Sequence, residues 1–323
     1  MLRTVVRRTL MVLNVLWTIA LAMPRRFLAP VKKYTQGGQF RKTHLMLEDK
    51  VVVITGGESA QEIAVNLARR EAKIIIGMKD ASEKGHEIID EIIDRTGNTN
   101  IYVHDLNLAS FDSVRKFVDH FYKTETQLDI LINCAEDFQG GQNEDGIEWA
   151  MIHNHYGHFL ITHLLMKALK KSPSGRIVVL ASKLHKFARK LTLERCEMSA
   201  ASAYMKSKLA NVIFTRCLAK KLTNTNVTVN CYHEGYTANR ILPNCIVKRV
   251  NPYILEYFFK SPRSAAQTAL YLAMDPDLEG VSGRFFSDCE EIEPSDEAKR
   301  DSLAEWFWKK SLQMAEISEK ESL

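Results

Sequence analysis

Tyr204 and Lys208 stand four residues apart in Ala203-Tyr-Met-Lys-Ser-Lys208, a spacing that puts both side chains on one face of a helix. An ammonium beside a phenol favours the phenolate and draws a group of reference pKa about 10 toward neutrality. A phenol poised in this way exchanges a proton with a carbonyl or alcohol oxygen. A nearby serine hydroxyl can hold that oxygen by a hydrogen bond. Ser182 closes the β-branched run Arg176-Ile-Val-Val-Leu-Ala-Ser182, which reads as a buried strand, and a strand end is where such a serine belongs. Tyr-x-x-x-Lys alone is a weak signal, because chance places the pair on many helices. Its weight comes from the elements that must position it.

From residue 50 onward short apolar runs alternate with helical stretches. Lys50–Ile54, Lys73–Ile76, Ile101–Val103, Leu128–Ile132, Arg176–Leu180 and Val227–Cys231 read as strands. Amphipathic segments near 59–71, 82–95, 111–124, 145–170, 202–222 and 263–274 read as helices. Strands without polar alternation are buried on both faces, which means a mostly parallel sheet covered by helices. Strand–helix alternation with right-handed crossovers gives an α/β, doubly wound Rossmann-type domain. In such a fold a dinucleotide lies where the strand order reverses, with its diphosphate at a helix N-terminus after the first strand. The expected organisation is an anchor or targeting segment over 1–30, a basic linker over 31–47, the domain over 48–290 and a helical tail over 291–323. In the tail, Trp306, Phe307 and Trp308 are expected to dock on the body.

Several stretches resemble the short-chain dehydrogenase/reductase family, and within it the retinol-dehydrogenase-like branch. Ala203-Tyr204-Met-Lys-Ser207-Lys208-Leu-Ala-Asn211-Val-Ile-Phe-Thr-Arg216 is similar to the branch's active-site helix. Asn154-His155-Tyr-Gly157-His158-Phe159-Leu-Ile-Thr-His163-Leu-Leu resembles the helix carrying its catalytic Asn, and the strand ending in Ser182 resembles the one that delivers the catalytic Ser. Leu278-Glu-Gly280-Val-Ser-Gly283-Arg-Phe-Phe-Ser287-Asp-Cys289 is similar to its last core strand. The likeness runs from about residue 48 to the C-terminus. It implies Tyr204 as general acid or base, Lys208 as its activator and the holder of the nicotinamide ribose, Ser182 on the substrate oxygen, and Asn154 supporting a water that relays protons. It also implies homodimers.

The cofactor side departs from that pattern. The branch carries Thr-Gly-x-x-x-Gly-x-Gly, whereas this chain has Thr55-Gly56-Gly57-Glu58-Ser59-Ala60-Gln61, two residues short and lacking both later glycines. Glu58 would sit near the diphosphate, at a cost on the order of 1 kcal/mol or more. The family's Asn-Asn-Ala-Gly is Asn133-Cys134-Ala135-Glu136, an acid in place of the glycine that packs beside the cofactor. The adenine-binding Asp falls on Asn107, with Asp105 as a rival. Pro-Gly becomes Glu234-Gly235, and the nicotinamide-contacting Thr falls on Asn239, with Thr237 nearby. Lys79, at the end of the second strand, stands where the branch has an Arg for the 2′-phosphate, which implies NADP(H). The cofactor set implied is Thr55, Gly56, Gly57, Ser59, Lys79, Asn107, Asn133, Ala135, Tyr204, Lys208, Gly235 and Thr237.

Charge is uneven along the chain. Residues 1–47 contain nine cations and no acid, so with a net charge of +5 the remainder carries −4. That argues against a nucleic-acid-binding body and for an arm at a membrane surface. Within the arm, Thr9–Met23 would span about 22 Å as a helix, against a hydrocarbon core of about 30 Å. Flanking arginines can snorkel to close the gap. A retained anchor, a secretory signal with Ala20-x-Ala22 as cleavage site, and a mitochondrial presequence all remain open. A retained anchor fits the family branch, and six cations after the apolar run place the body on the cytosolic side, with the endoplasmic reticulum as the expected membrane. Six cysteines without a Cys-x-x-Cys pair read as reduced thiols. His153, His155, His158 and His163 read as structural histidines, and no metal is expected. Tyr236 to Pro262, rich in aromatic and aliphatic residues, reads as an apolar substrate lid for a lipophilic alcohol or carbonyl such as a retinoid, steroid or fatty aldehyde. Two functions follow. One is a membrane-anchored NADP(H)-dependent oxidoreductase; the alternative is a cofactor-poor pseudoenzyme of the same fold serving as a binding or scaffold protein.

Overall fold

The computed structural model describes residues 35–40, 44–188, 199–237 and 257–318. The N-terminal apolar run, Asn239 and most of the expected lid lie outside them. No helix among the described residues is long and apolar enough to cross a membrane. The described residues fall into two compact units, a larger one within 38–234 and from 266 onward, and a smaller one within 1–37 and 235–265.

The larger unit is built on one eight-stranded sheet. Its strands are β1 (Val51–Thr55), β2 (Lys73–Met78), β3 (Ile101–Asp105), β4 (Ile130–Asn133), β5 (Gly175–Leu180), β6 (Val227–His233), β7 (Phe285–Ser287) and β8 (Glu290–Glu291). They lie in the order β3-β2-β1-β4-β5-β6-β7-β8, all pairs parallel except the last. The short antiparallel β8 edge was not anticipated; two exposed glutamates carry no apolar signal. The order reverses between β1 and β4, paired through Val52 and Ile130, which makes the carboxyl ends of these strands the expected ligand crevice.

Burial on both faces explains the strands' unbroken apolar character. Along β1, Val51 and Val53 face one core, while Val52 and Ile54 face the other. Helices α1 (Ala60–Ala68), α2 (Ala81–Thr96) and α6 (Pro262–Met274, from Ala266 on) cover one side; α3 (Phe111–Thr124), α4 (Gly157–Leu169) and α5 (Ala200–Lys221) cover the other. After the short α7 (Asp296–Lys299), the final helix α8 (Asp301–Met314) buries Trp308 against Phe159 and Phe214 and Phe307 against His155, while Trp306 stays exposed.

The stretch expected as one helix over 145–170 is not continuous. A turn at Trp149–Met151 leads into a π-helical segment, Ile152–Tyr156, and only then into α4. Single π turns inside helices gather at functional sites, and this one contains Asn154. It ends at Gly157, where any Cβ would strike the Leu108 carbonyl, so α4 presses its backbone onto the loop after β3. Gly157→Ala is therefore expected to lower stability by about 1–3 kcal/mol, measured by urea unfolding. An unchanged midpoint would show that this close approach is not needed.

Candidate active site

β1 ends at Thr55 and α1 begins at Ala60, so the turn that would cradle a diphosphate is only four residues long. Thr55 is its anchor. The hydroxyl accepts the backbone N–H of both Cys134 and Ala135, each at 2.9 Å. Its own proton points to His158 Nε2, 3.0 Å away. That direction follows from the other ring nitrogen: His158 Nδ1 lies 3.0 Å from the Asn154 carbonyl, which can only accept, so in the neutral ring Nε2 is the acceptor. Burial holds His158 down to about 3, which keeps it neutral. Gly57 packs so closely on Cys134 that a Cβ would collide with its carbonyl oxygen, and Gly56 N–H donates to Gly77 at 2.7 Å. Ser59 is buried, and its hydroxyl donates to Glu234 Oε2 at 2.9 Å, from the far end of β6. Glu58 is exposed.

The same Thr55 hydroxyl fixes the loop after β4, and that loop carries Glu136 to the Tyr204–Lys208 pair. One oxygen of Glu136 lies 2.7 Å from Lys208 Nζ and accepts the Tyr204 hydroxyl at 3.1 Å. The ion pair is close, though too oblique for a directed hydrogen bond. Lys208 is fully buried, with Glu136 14% exposed. Tyr204 is buried too, with the half-exposed Phe138 ring tilted against it at 4.6 Å. Glu136 also makes burial costlier for its neighbour: Glu234 is pushed up to about 8, first by desolvation and then by the Glu136 charge.

Asn154 holds the other end of this loop. Its Oδ1 accepts Asp137 N–H at 2.6 Å, and its Nδ2 donates to the Asp137 carbonyl at 2.8 Å and to Ser207 Oγ at 3.0 Å. Its backbone carbonyl accepts from both His158 and Asn211. The side chain is thus spent on positioning the 136–138 loop. Asn211 also donates to Leu180 at the end of β5 and so fastens α5 to the strand that delivers Ser182. Ser182 is buried; its hydroxyl accepts Leu184 N–H at 3.2 Å, and its carbonyl takes a 2.6 Å bond from His185.

The remaining expected cofactor residues lie in four different settings. Lys79 is exposed just past β2. Asn107 closes a turn on Ala109 N–H at 3.0 Å, whereas its rival Asp105 is committed to Ala81 N–H at the start of α2. Asn133 is buried and donates to Thr162 at 2.8 Å. Gly235 and Thr237 belong to the smaller unit, where Thr237 bridges Lys260 and where Thr35 and Gln36 bond the carbonyls of Tyr257 and Phe259.

The family model for short chain dehydrogenases matches residues 50–245. The chain belongs to the short-chain dehydrogenase family. Its relatives include mouse retinol dehydrogenase 14, 38% identical over 315 residues and covering 91% of this chain and 92% of that protein. Human retinol dehydrogenase 11 is 35% identical over 286 residues, covering 86% and 89%. Among solved structures, an uncharacterised protein of Mycobacterium paratuberculosis is 27% identical with a TM-score of 0.69, covering 87% of this chain and 98% of that one. A short chain dehydrogenase of Escherichia coli complexed with NADPH has the same fold, with a TM-score of 0.61, 20% identity, and coverage of 77% and 100%. This retinol-dehydrogenase-like oxidoreductase family works with nicotinamide cofactors, and the residues here fit one unevenly. The Thr55–Ala60 turn at the start of α1 suits a diphosphate. At the nicotinamide end, Lys208 and Tyr204 are already engaged by Glu136.

The sequence marks Glu136 as a bulky acid in place of the glycine beside the cofactor; its contact with both Tyr204 and Lys208, the Ser59–Glu234 bond and the pinning by Asn211 carry no sequence signal. The histidines form the frame behind the site. His155 bonds Asn211 and Ser311, and His163 stacks on Phe159. Burial lowers both to about 4. Each of the three stays neutral in the fold, while the unfolded chain protonates below about 6.5. Their contribution is therefore full above that pH and is lost as pH falls from about 6.5 toward 4 and 3. His163→Phe removes one such group, and should flatten the loss of unfolding free energy over pH 6.5–4 by about 1.4 kcal/mol per unit. Urea unfolding at several pH values reads this directly, and parallel profiles would contradict it.

Proposed function

We propose that the chain is an NADP(H)-dependent oxidoreductase acting on a lipophilic alcohol or carbonyl. The observation that carries this is the buried Tyr204–Lys208 pair on α5, which packs against the turn following Ser182, at the carboxyl edge of a sheet whose order reverses at β1 and β4. In reduction, Tyr204 gives its proton to the substrate oxygen while Ser182 steadies that oxygen; in oxidation, Tyr204 takes the proton. Lys208 supplies positive charge beside the phenol and would hold the ribose hydroxyls of the dinucleotide. The bound nicotinamide supplies or receives the hydride. Thr55, Gly56, Gly57 and Ser59 would face the diphosphate, and Lys79 a 2′-phosphate as a point charge. Asn107, Asn133, Ala135, Gly235 and Thr237 complete the proposed cofactor set, and Asn154 the catalytic one.

A lipophilic substrate is supported by the apolar composition of the 236–262 segment and by relatives named as retinol dehydrogenases; retinoids, steroids and fatty aldehydes are the chemical classes to try. The basic, acid-free first 47 residues support membrane attachment, with the body cytosolic at the endoplasmic reticulum, and homodimers accord with the family. One observation favours a second reading: Glu136 on both Tyr204 and Lys208 suits a protein that keeps the fold for binding and no longer takes up cofactor.

Titration of the full chain with NADPH, followed by energy transfer from protein fluorescence to the nicotinamide, separates the two. The oxidoreductase reading expects saturation; no saturable signal up to about millimolar cofactor, the top of the usual range, contradicts it. Tyr204→Phe is expected to lower NADPH-dependent reduction of a fatty aldehyde by about 100-fold or more with cofactor affinity nearly unchanged. Unaltered turnover would remove Tyr204 as the acid.

A further inference from the structure

Two acids of this chain reach into the crevice at the strand ends. Glu136 stands where the family pattern has a glycine, and Glu234 where it has a proline. Both contacts are built rather than incidental. The loop bearing Glu136 is held at Cys134 and Ala135 by Thr55 and at Asp137 by two bonds from Asn154. Its carboxylate then meets the fully buried ammonium of Lys208 and the Tyr204 hydroxyl through the same oxygen. Glu234, itself buried, ties the end of β6 to Ser59 at the start of α1. The phosphate end and the nicotinamide end of the crevice are each fastened by a side-chain carboxyl.

We infer that Glu136 is a resident ligand of Lys208 and Tyr204 that a nicotinamide dinucleotide must displace in order to bind, with the Ser59–Glu234 bond as a second strap across the same crevice. This rests on reading the crevice as a dinucleotide site. Glu136 and a dinucleotide compete for the same buried ammonium, that of Lys208. Lys208 is fully buried, and the Glu136 carboxylate lies 2.7 Å from its ammonium, where a ribose hydroxyl would have to come. Ribose hydroxyls are neutral acceptors and make weaker bonds to an ammonium than a carboxylate does. An anionic dinucleotide also meets the charge of Glu136, which remains in the crevice wherever its side chain swings. The exposed Glu58 touches solvent, so its charge is largely screened and it plays little part. The gate is thus specific to two positions, and restoring the small residue at 136 should open it.

The test is NADPH titration of full-length wild type, Glu136→Gly, Glu136→Gln, Glu136→Gly/Glu234→Gln and Glu58→Gln, by the same fluorescence transfer, with circular dichroism melts as a check on folding. Glu136→Gly is expected to tighten NADPH at least about tenfold. Glu136→Gln, nearly identical in shape, should give a smaller gain, the double variant a larger one, and Glu58→Gln little. Should Glu136→Gly fail to fold, the glutamine variant carries the test alone. Equal affinity in wild type and a folded Glu136 variant overturns the inference, as does the absence of binding in both. Binding by the variant with none by wild type upholds the gate and removes the proposed oxidoreductase function from the natural chain. That outcome distinguishes the two claims.

Discussion

A fully buried ammonium must find a counter-charge or a set of strong acceptors, and Lys208 is such a group. An isolated charge in the interior costs several kcal/mol, and removing one partner of a buried pair costs about 3–5 kcal/mol. The catalytic helix can therefore bury this lysine only if something comes to it. In the structure that something is Glu136, and much of the surrounding hydrogen bonding serves to deliver it. Thr55 and Asn154 hold the loop from opposite ends, and His158 joins the two holders through its ring. One neutral histidine thus connects the first strand's turn to the segment opposite the catalytic helix.

This arrangement changes what the site residues do relative to a bare proton-transfer pair. Tyr204 has an internal acceptor before any substrate arrives. Asn154 spends its amide on the loop and on Ser207, next to Lys208 in sequence. Glu234 is buried and driven up to about 8 chiefly by its burial and by Glu136, so near neutral pH the crevice carries less negative charge than its acids suggest. The chain has the Tyr204–Lys208 pair that resembles its family's together with a crevice in which Glu136 engages both.

The fold was legible because the signals for it are local and repeated. Every strand read over residues 50–231 begins within two residues of the one observed, since a short β-branched run with no polar face is best buried between two layers of helices. The π-helical segment at Ile152–Tyr156 was not legible, nor was the close approach of Gly157 to Leu108 that follows it, a contact between residues far apart in sequence. The β8 edge was missed because Glu290 and Glu291 bear no strand signal. At the site, residue types told which groups could do chemistry but not their mutual distances. The family pattern marked Glu136 as a bulky replacement for glycine. Its contact with both Tyr204 and Lys208 depends on the path of a loop, which no periodicity encodes. Glu58 stood out for its charge, yet it faces solvent; Glu234, which drew less notice, bonds Ser59.

A crystal structure of the full chain with NADPH tests the account most directly. The predicted result has the Glu136 carboxylate swung away from Lys208, with ribose hydroxyls of the dinucleotide in hydrogen-bonding range of the ammonium in its place. A dinucleotide bound in the crevice while Glu136 still sits on Lys208 and Tyr204 would contradict it.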